Sequence, residues 1–314
     1  MTHNLIRKLQ KLFHAENLVD SVQSEERFGP FRNLLNVRYG NTYPNSTMDI
    51  YLCEENAPDH PVLFYVHGGG YTWGDKRSGD PNGASDSFLW YFERFLKEGY
   101  HIVSINYAFA PDYPYPTPIL QMSEAVQWLK THGDVFSVSM KEVVFAGSSA
   151  GGQLVGQFAN IQTNPEYARK MGISPVMKPG EIKAVLFNSA LLDMERFGET
   201  GSFLSDWLFV KCGQAYFDVK KLPGNAAVIS AKVTPFVTDA FPPTFISDAN
   251  TASFSDQAFE LDRRLTQLGV RHVVNIYPKS EKKLLHGFEN KNDRFGLNNM
   301  DRMISFLNSL GLRG

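Results

Sequence analysis

Cysteine is scarce in this sequence: only Cys53 and Cys212 occur among 314 residues. Two isolated thiols supply no CxxC pair, no zinc pattern and no disulfide framework. An excess of charge of one sign is also missing. Lys and Arg number 31 against 33 Asp and Glu, a formal net charge of −2, whereas a nucleic-acid-binding domain carries a basic face. No run approaches the roughly 18 apolar residues that a membrane span needs. Residues 1–20 lack the apolar stretch and small-residue cleavage site of a secretory leader. Repeats, low-complexity tracts and Gly/Ser linkers are absent, so nothing marks a domain boundary. What remains is one globular domain spanning 1–314, expected in the cytoplasm, with no nucleic-acid partner and no stable membrane insertion.

The pattern that is present alternates. Continuous apolar runs at Pro61–Val66, His101–Tyr107, Glu142–Ala146, Ala184–Asn188, Thr244–Ser247 and His272–Tyr277 suit strands covered on both faces. Val37–Tyr39 and Met48–Leu52 read as a strand pair around a turn-rich segment. Helical periodicity falls between the runs, over Ser85–Glu98, Ile119–Thr131, Ser149–Ile161, Phe254–Leu268 and Asn299–Leu312. Strands alternating with helices predict an α/β fold with a mostly parallel sheet between two helical layers. Leu5, Leu9, Leu12 and Phe13 share a helical face near Arg7, Lys8 and Lys11, and a helix packed on the body is expected there. That helix (about 1–30) and the insertion 194–241, with helical fragments around Ser205–Tyr216, are the natural elements of a small cap.

The sharpest local signal is Gly147-Ser148-Ser149-Ala150-Gly151, followed by Gly152, where a predicted strand gives way to a predicted helix. This is the setting of a G-x-S-x-G nucleophile elbow, with Ser149 at the tight turn. Earlier, His67-Gly68-Gly69-Gly70 follows a strand directly. Side-chain-free residues let backbone N–H groups approach a substrate oxygen, which is what stabilising a tetrahedral oxyanion requires. Gly69, Gly70 and Ala150, the residue after the serine, are the expected donors. Serine needs a general base, usually histidine. Of the eight histidines, His286 stands in a loop after the last predicted strand, at the edge where open α/β sheets collect catalytic groups. His272 opens a strand on the opposite edge, and His67 is expected to orient the glycine loop.

Together these segments resemble the hormone-sensitive-lipase-like group of α/β-hydrolase esterases. His67-Gly-Gly-Gly70, Gly147-Ser-Ser-Ala-Gly-Gly152 and His286-Gly-Phe288 look like its three signatures. Tyr107-Ala-Phe-Ala-Pro-Asp-Tyr-Pro-Tyr-Pro116 resembles its Tyr-Arg-Leu-Ala-Pro-Glu-x-Pro-x-Pro segment, with Ala108 in place of arginine. The resemblance covers about residues 60–290. It implies an eight-stranded sheet, a helical cap, and hydrolysis of short acyl esters without a cofactor. Monomers and dimers both occur in the group, so a homodimer is compatible with it.

Two departures stand out. Ser148 occupies the place of an aspartate before the nucleophile. More consequentially, the position of the family's third triad member falls on Ala252. Asp248, at the end of a strand, is the favoured substitute. Asp256, which also suits a helix N-terminus, a dyad without a carboxylate, and Asp193 are the alternatives. Tyr71, Trp73 and Trp207 are candidate pocket residues. No Asp/Glu/His group has metal-ligand spacing, and no Gly-Lys-Ser/Thr follows the glycines as a phosphate loop requires. A peptidase or amidase on the same scaffold, and a non-catalytic ligand-binding relative, remain open at this point.

Overall fold

In the computed structural model, residues 2–19, 21–54, 57–77 and 89–312 are described. Their strands are β1 (Ser24–Phe28), β2 (Phe31–Arg38), β3 (Thr47–Leu52), β4 (Val62–Val66), β5 (His101–Ile105), β6 (Val143–Ser148), β7 (Ile182–Asn188), β8 (Thr244–Ser247) and β9 (His272–Asn275). They form one sheet in the order β1-β2-β3-β5-β4-β6-β7-β8-β9. Pairings from β1 to β5 are antiparallel, and those from β5 through β4 to β9 are parallel. The described sheet therefore has nine strands where eight were expected. The extra one is β1, a polar Ser-Glu-Glu-Arg-Phe segment with no apolar pattern to announce it.

The helices are α1 (Thr2–Leu12), α2 (Leu89–Lys97), α3 (Thr117–His132), α4 (Ala150–Thr163), α5 (Pro165–Met171), α6 (Phe203–Phe217), α7 (Ala226–Ser230), α8 (Ser255–Leu268) and α9 (Arg294–Ser309). The helix expected from Ser85 is described from Leu89 onward, and positions 85–88 lie outside the described residues. Alternation along β4 and β6 sorts side chains to two cores. Phe64 and Phe145 join α3, α4 and α8 on one face, while Leu63, Tyr65 and Val144 join α2 and α9 on the other. The helix α9 starts five residues before the expected Asn299, because the Asp293 carboxylate accepts from the amides of Phe295 and Gly296 and caps its N-terminus.

The amphipathic N-terminal segment packs against α6 and the glycine loop. Ile6 is fully buried, Gln10 Nε2 donates to the carbonyls of Thr72 and Ala110, and Phe13 meets Trp73 edge-on at 5.4 Å. Among the described residues, no helix is long and apolar enough to cross a membrane.

Candidate active site

The parallel strands β4, β6 and β8 bring three loops to one edge of the sheet. At the end of β6 the chain turns sharply into α4, and Ser149 takes φ 53°, ψ −116° at the turn. Such a conformation costs a non-glycine residue on the order of 1–3 kcal/mol, repaid by its surroundings. Here the Ser149 amide is anchored by donating to the Asn188 carbonyl at 2.8 Å. The turn is possible only because its neighbours lack side chains. A Cβ on Gly147 would overlap the carbonyl of Gly151, and one on Gly151 would overlap the carbonyl oxygens of Val66 and His67.

His286 arrives from the loop after β9. That loop is pinned beside the β8 loop by a bridge between Thr251 and Leu285. Its Nε2 stands 2.9 Å from Ser149 Oγ, so the two residues singled out in the sequence meet at hydrogen-bond distance across 137 positions of chain. The rings of Phe209, from α6, and Phe254 flank the imidazole edge-on at 5.2 and 5.5 Å. Burial pushes the imidazole down to about 4, which keeps it neutral and able to accept a proton at pH 7.

Behind the histidine the structure departs from the expected arrangement. Among the described residues, no carboxylate reaches Nδ1. The Ser253 hydroxyl lies there instead, at 2.8 Å, and donates in a short contact to Asp248 Oδ1. Asp248 is thus behind His286, one hydroxyl removed, rather than on it. Its Oδ1 also accepts the Ala249 amide at 2.6 Å, while Oδ2 has no hydrogen-bond partner among the described residues. Burial, and then the charge of Glu289, push the Asp248 carboxyl well above the usual carboxylate range. The alternative acids are engaged elsewhere: Arg196 holds Asp256 at 2.8 Å and Asp193 at 3.1 Å.

A second carboxyl had gone unremarked in the sequence. Glu289, three residues beyond His286, is buried and accepts from the hydroxyls of Ser189 (2.8 Å to each oxygen) and Ser247 (3.2 Å). Burial raises it to about 7. The available clue was a carboxylate directly after His-Gly-Phe, in a segment whose other charged residues gave it no prominence. Ser253 offered less, since a lone serine before a helix usually serves as a cap.

The glycine loop lies against the elbow. A Cβ on Gly68 would stand 2.9 Å from the Ser148 carbonyl and 3.3 Å from Ser149 Cβ. Gly69 and Gly70 both have positive φ, 94° and 59°. Among the described residues, no backbone carbonyl outside a shared helix or strand accepts from the amides of Gly69, Gly70 or Ala150. His67 is fully buried, its Nδ1 2.8 Å from the Gly68 carbonyl. Of the candidate pocket residues, Tyr71 exposes nothing: it stacks on Tyr216 at 3.8 Å and donates to Gln153. Trp73 is likewise buried against α1, so both belong to the core in this conformation. Trp207 alone is exposed, on α6. Ser148 accepts from Asn290 Nδ2 at 3.4 Å.

A largely parallel sheet carrying a strained serine on a strand-to-helix turn, with a histidine delivered from the last strand's loop, defines an α/β hydrolase. Comparison with known proteins takes this further. The BD-FAE family profile matches residues 48–265, and the chain belongs to that family, within the hormone-sensitive-lipase-like esterases. It is 22% identical over 293 residues to carboxylesterase NlhH of Mycobacterium tuberculosis, covering 90% of this chain and 81% of that protein. A putative α/β hydrolase, R526, of Acanthamoeba polyphaga mimivirus is 22% identical over 82% of this chain and 69% of its own length. Among solved structures, inhibitor-bound esterase B from Lactobacillus rhamnosis superposes with a TM-score of 0.72 at 19% identity, covering 98% of this chain and 94% of that one.

Proposed function

We propose that this esterase cleaves short acyl esters through an acyl-enzyme on Ser149. The observation that carries the reading is the 2.9 Å contact between Ser149 Oγ and His286 Nε2, beside the glycine loop. Ser149 Oγ attacks the acyl carbonyl as its proton passes to Nε2. The amides of Gly69, Gly70 and Ala150 hold the resulting oxyanion. Collapse expels the alcohol, which takes the proton from the imidazolium. Water, deprotonated by His286, then attacks the acyl-serine and releases the acid. Asp248, once ionised, supplies negative charge behind the imidazole, one hydroxyl removed. Phe209 and Phe254 crowd the histidine and favour a compact acyl group.

The test is Ser149→Ala assayed on p-nitrophenyl acetate, butyrate and octanoate, with matching anilides. Activity on the two short esters should fall by at least roughly 10³-fold, and labelling by a fluorophosphonate probe should vanish. Retained ester hydrolysis overturns the assignment of the nucleophile. Faster turnover of the anilides than of the esters turns the reading to an amidase.

A further inference from the structure

We infer that Ser253 is a positioning residue that couples Asp248 to His286, so that the imidazole is held by a hydroxyl in place of a directly bound carboxylate. The inference rests on the assignment of Ser149 and His286 above.

The case begins with proton counting. For Nε2 to accept from Ser149, His286 must carry its proton on Nδ1. Among the described residues, Nδ1 faces only the Ser253 oxygen, 2.8 Å away, so that oxygen must accept. The single Ser253 hydrogen is then committed to Asp248, the other partner in contact. With Asp248 ionised, all three bonds point one way: Ser149 to Nε2, Nδ1 to Ser253, Ser253 to Asp248. With Asp248 protonated the chain can reverse: Asp248 donates to Ser253, the Ser253 hydroxyl donates to Nδ1, and the histidine proton sits on Nε2, where it blocks the nucleophile. The carboxylate thus selects the tautomer at one remove. No proton crosses Ser253 during turnover; the only transfer is between Ser149, Nε2 and the leaving group, as in directly bound triads.

The placement of Ser253 is built by the fold. Asn250 clamps its loop to the histidine loop, donating to the carbonyls of Tyr277 and Lys282 at 2.8 Å each and accepting the Leu284 amide at 3.1 Å. The Thr251 amide donates to the Leu284 carbonyl at 3.0 Å. Ala252 then takes φ 51°, a left-handed turn. Past it, Ser253 is buried between the two groups it joins. The carboxylate missing at position 252 is in this way supplied from four residues upstream, with the adjacent serine spanning the gap.

The experiment is a double-mutant cycle on the full chain, with kcat, KM and thermal midpoint measured for Ser253→Ala, Asp248→Asn, their combination and Ser253→Thr. Ser253→Ala should lower kcat by about 10- to 100-fold with KM changed less than about threefold, and adding Asp248→Asn should cost almost nothing more, because the link is already broken. Ser253→Thr, which keeps the hydroxyl, should recover most of the loss. A parent-like kcat in Ser253→Ala, losses that multiply in the pair, or no recovery in a Ser253→Thr that melts with the parent would each overturn the inference. Should Ser253→Ala not fold, the pair, which leaves no unpaired charge at Asp248, is compared with Asp248→Asn alone. Because Asp248→Asn already breaks the link, the pair should match it within about threefold, both well below the parent, and a further loss of about tenfold or more overturns the inference. Ser149→Ala is run beside them. An active Ser149→Ala sinks the nucleophile assignment, whereas an inert one with a parent-like Ser253→Ala sinks the coupling alone.

Discussion

The ring of His67 lies flat on that of Tyr107, 4.3 Å between centroids and 10° from parallel. The Tyr107 hydroxyl reaches past it to the carbonyls of His67 and Gly68, at 3.0 and 3.1 Å. Glycines that free amides for a substrate also leave the backbone free to wander, and this pair restrains it. Tyr107→Phe keeps the stack and removes the bond, leaving the buried His67 carbonyl without its donor at a cost of about 1–3 kcal/mol, while the Gly68 carbonyl keeps His67 Nδ1. The thermal midpoint should drop, and kcat on p-nitrophenyl acetate should fall by about tenfold while KM holds, since the cradle serves the transition state most. An unchanged kcat would mean that the loop is held without Tyr107.

The parts of the molecule legible in the sequence are those whose signal is local. The strands β4 to β8 show as apolar runs because both faces of a parallel sheet are covered. The elbow and the glycine loop show because only glycine tolerates such close backbone approach. Ser253 and Glu289 were not legible. Their roles depend on which loops the sheet carries together, and nothing in the neighbouring residues encodes that meeting. Strand β1 was missed for a related reason: its Glu25 and Glu26 are exposed, and pairing with β2, not an apolar face, holds it.

Asp248 and Asp256 differ by eight positions and should differ sharply on mutation. Asp256 is half-exposed and paired with Arg196, an arrangement worth about 0–1 kcal/mol and remote from Nδ1. Asp256→Asn should leave kcat within about twofold. Asp248→Asn should reduce it by at least about tenfold, a change of about 1.4 kcal/mol in the barrier. Equal losses from the two variants, measured on one ester at saturation, would remove Asp248 from its privileged place.

Glu289 makes stability depend on pH. Its carboxyl is raised from 4.5 to about 7 on folding. Between those values the folded chain binds the proton that the unfolded chain has lost, so this contribution is fully present below pH 4.5 and fades as pH rises through 7. At about 1.4 kcal/mol per unit the span is roughly 3 kcal/mol. His67 runs the other way. Burial lowers it from 6.5 to about 4, so its contribution is present above pH 6.5 and lost as pH falls toward 4. Over pH 4.5–6.5 the two offset, and His286, likewise lowered to about 4, opposes the raised Asp248 in the same way, which flattens the parent's profile. Glu289→Gln removes one side of the balance. In urea titrations the variant should gain on the parent by roughly 3 kcal/mol between pH 4.5 and pH 8. An equal difference at both pH values would show that Glu289 ionises no differently in the folded chain.

The same carboxyl should tune catalysis through Asp248. His286 is already neutral above about pH 4, so an acid limb of kcat near neutrality cannot come from the imidazole. The groups facing the Asp248–Glu289 pair are His286, the Ser189, Ser247 and Ser253 hydroxyls, and the phenols of Tyr65 and Tyr91. Both phenols are pushed above their ordinary range by burial and stay neutral. That leaves the carboxyls. Only ionised Asp248 fixes the productive tautomer, and burial together with the Glu289 charge makes it hard to ionise. The parent's kcat should therefore rise with pH well above the ordinary carboxylate range. Glu289→Gln deletes a neighbouring negative charge, so Asp248 ionises at lower pH and the limb moves to the acid side. Ser253→Ala disconnects Asp248 and should erase the limb from whatever activity remains. A limb that stays put in Glu289→Gln would show that Asp248 does not set it.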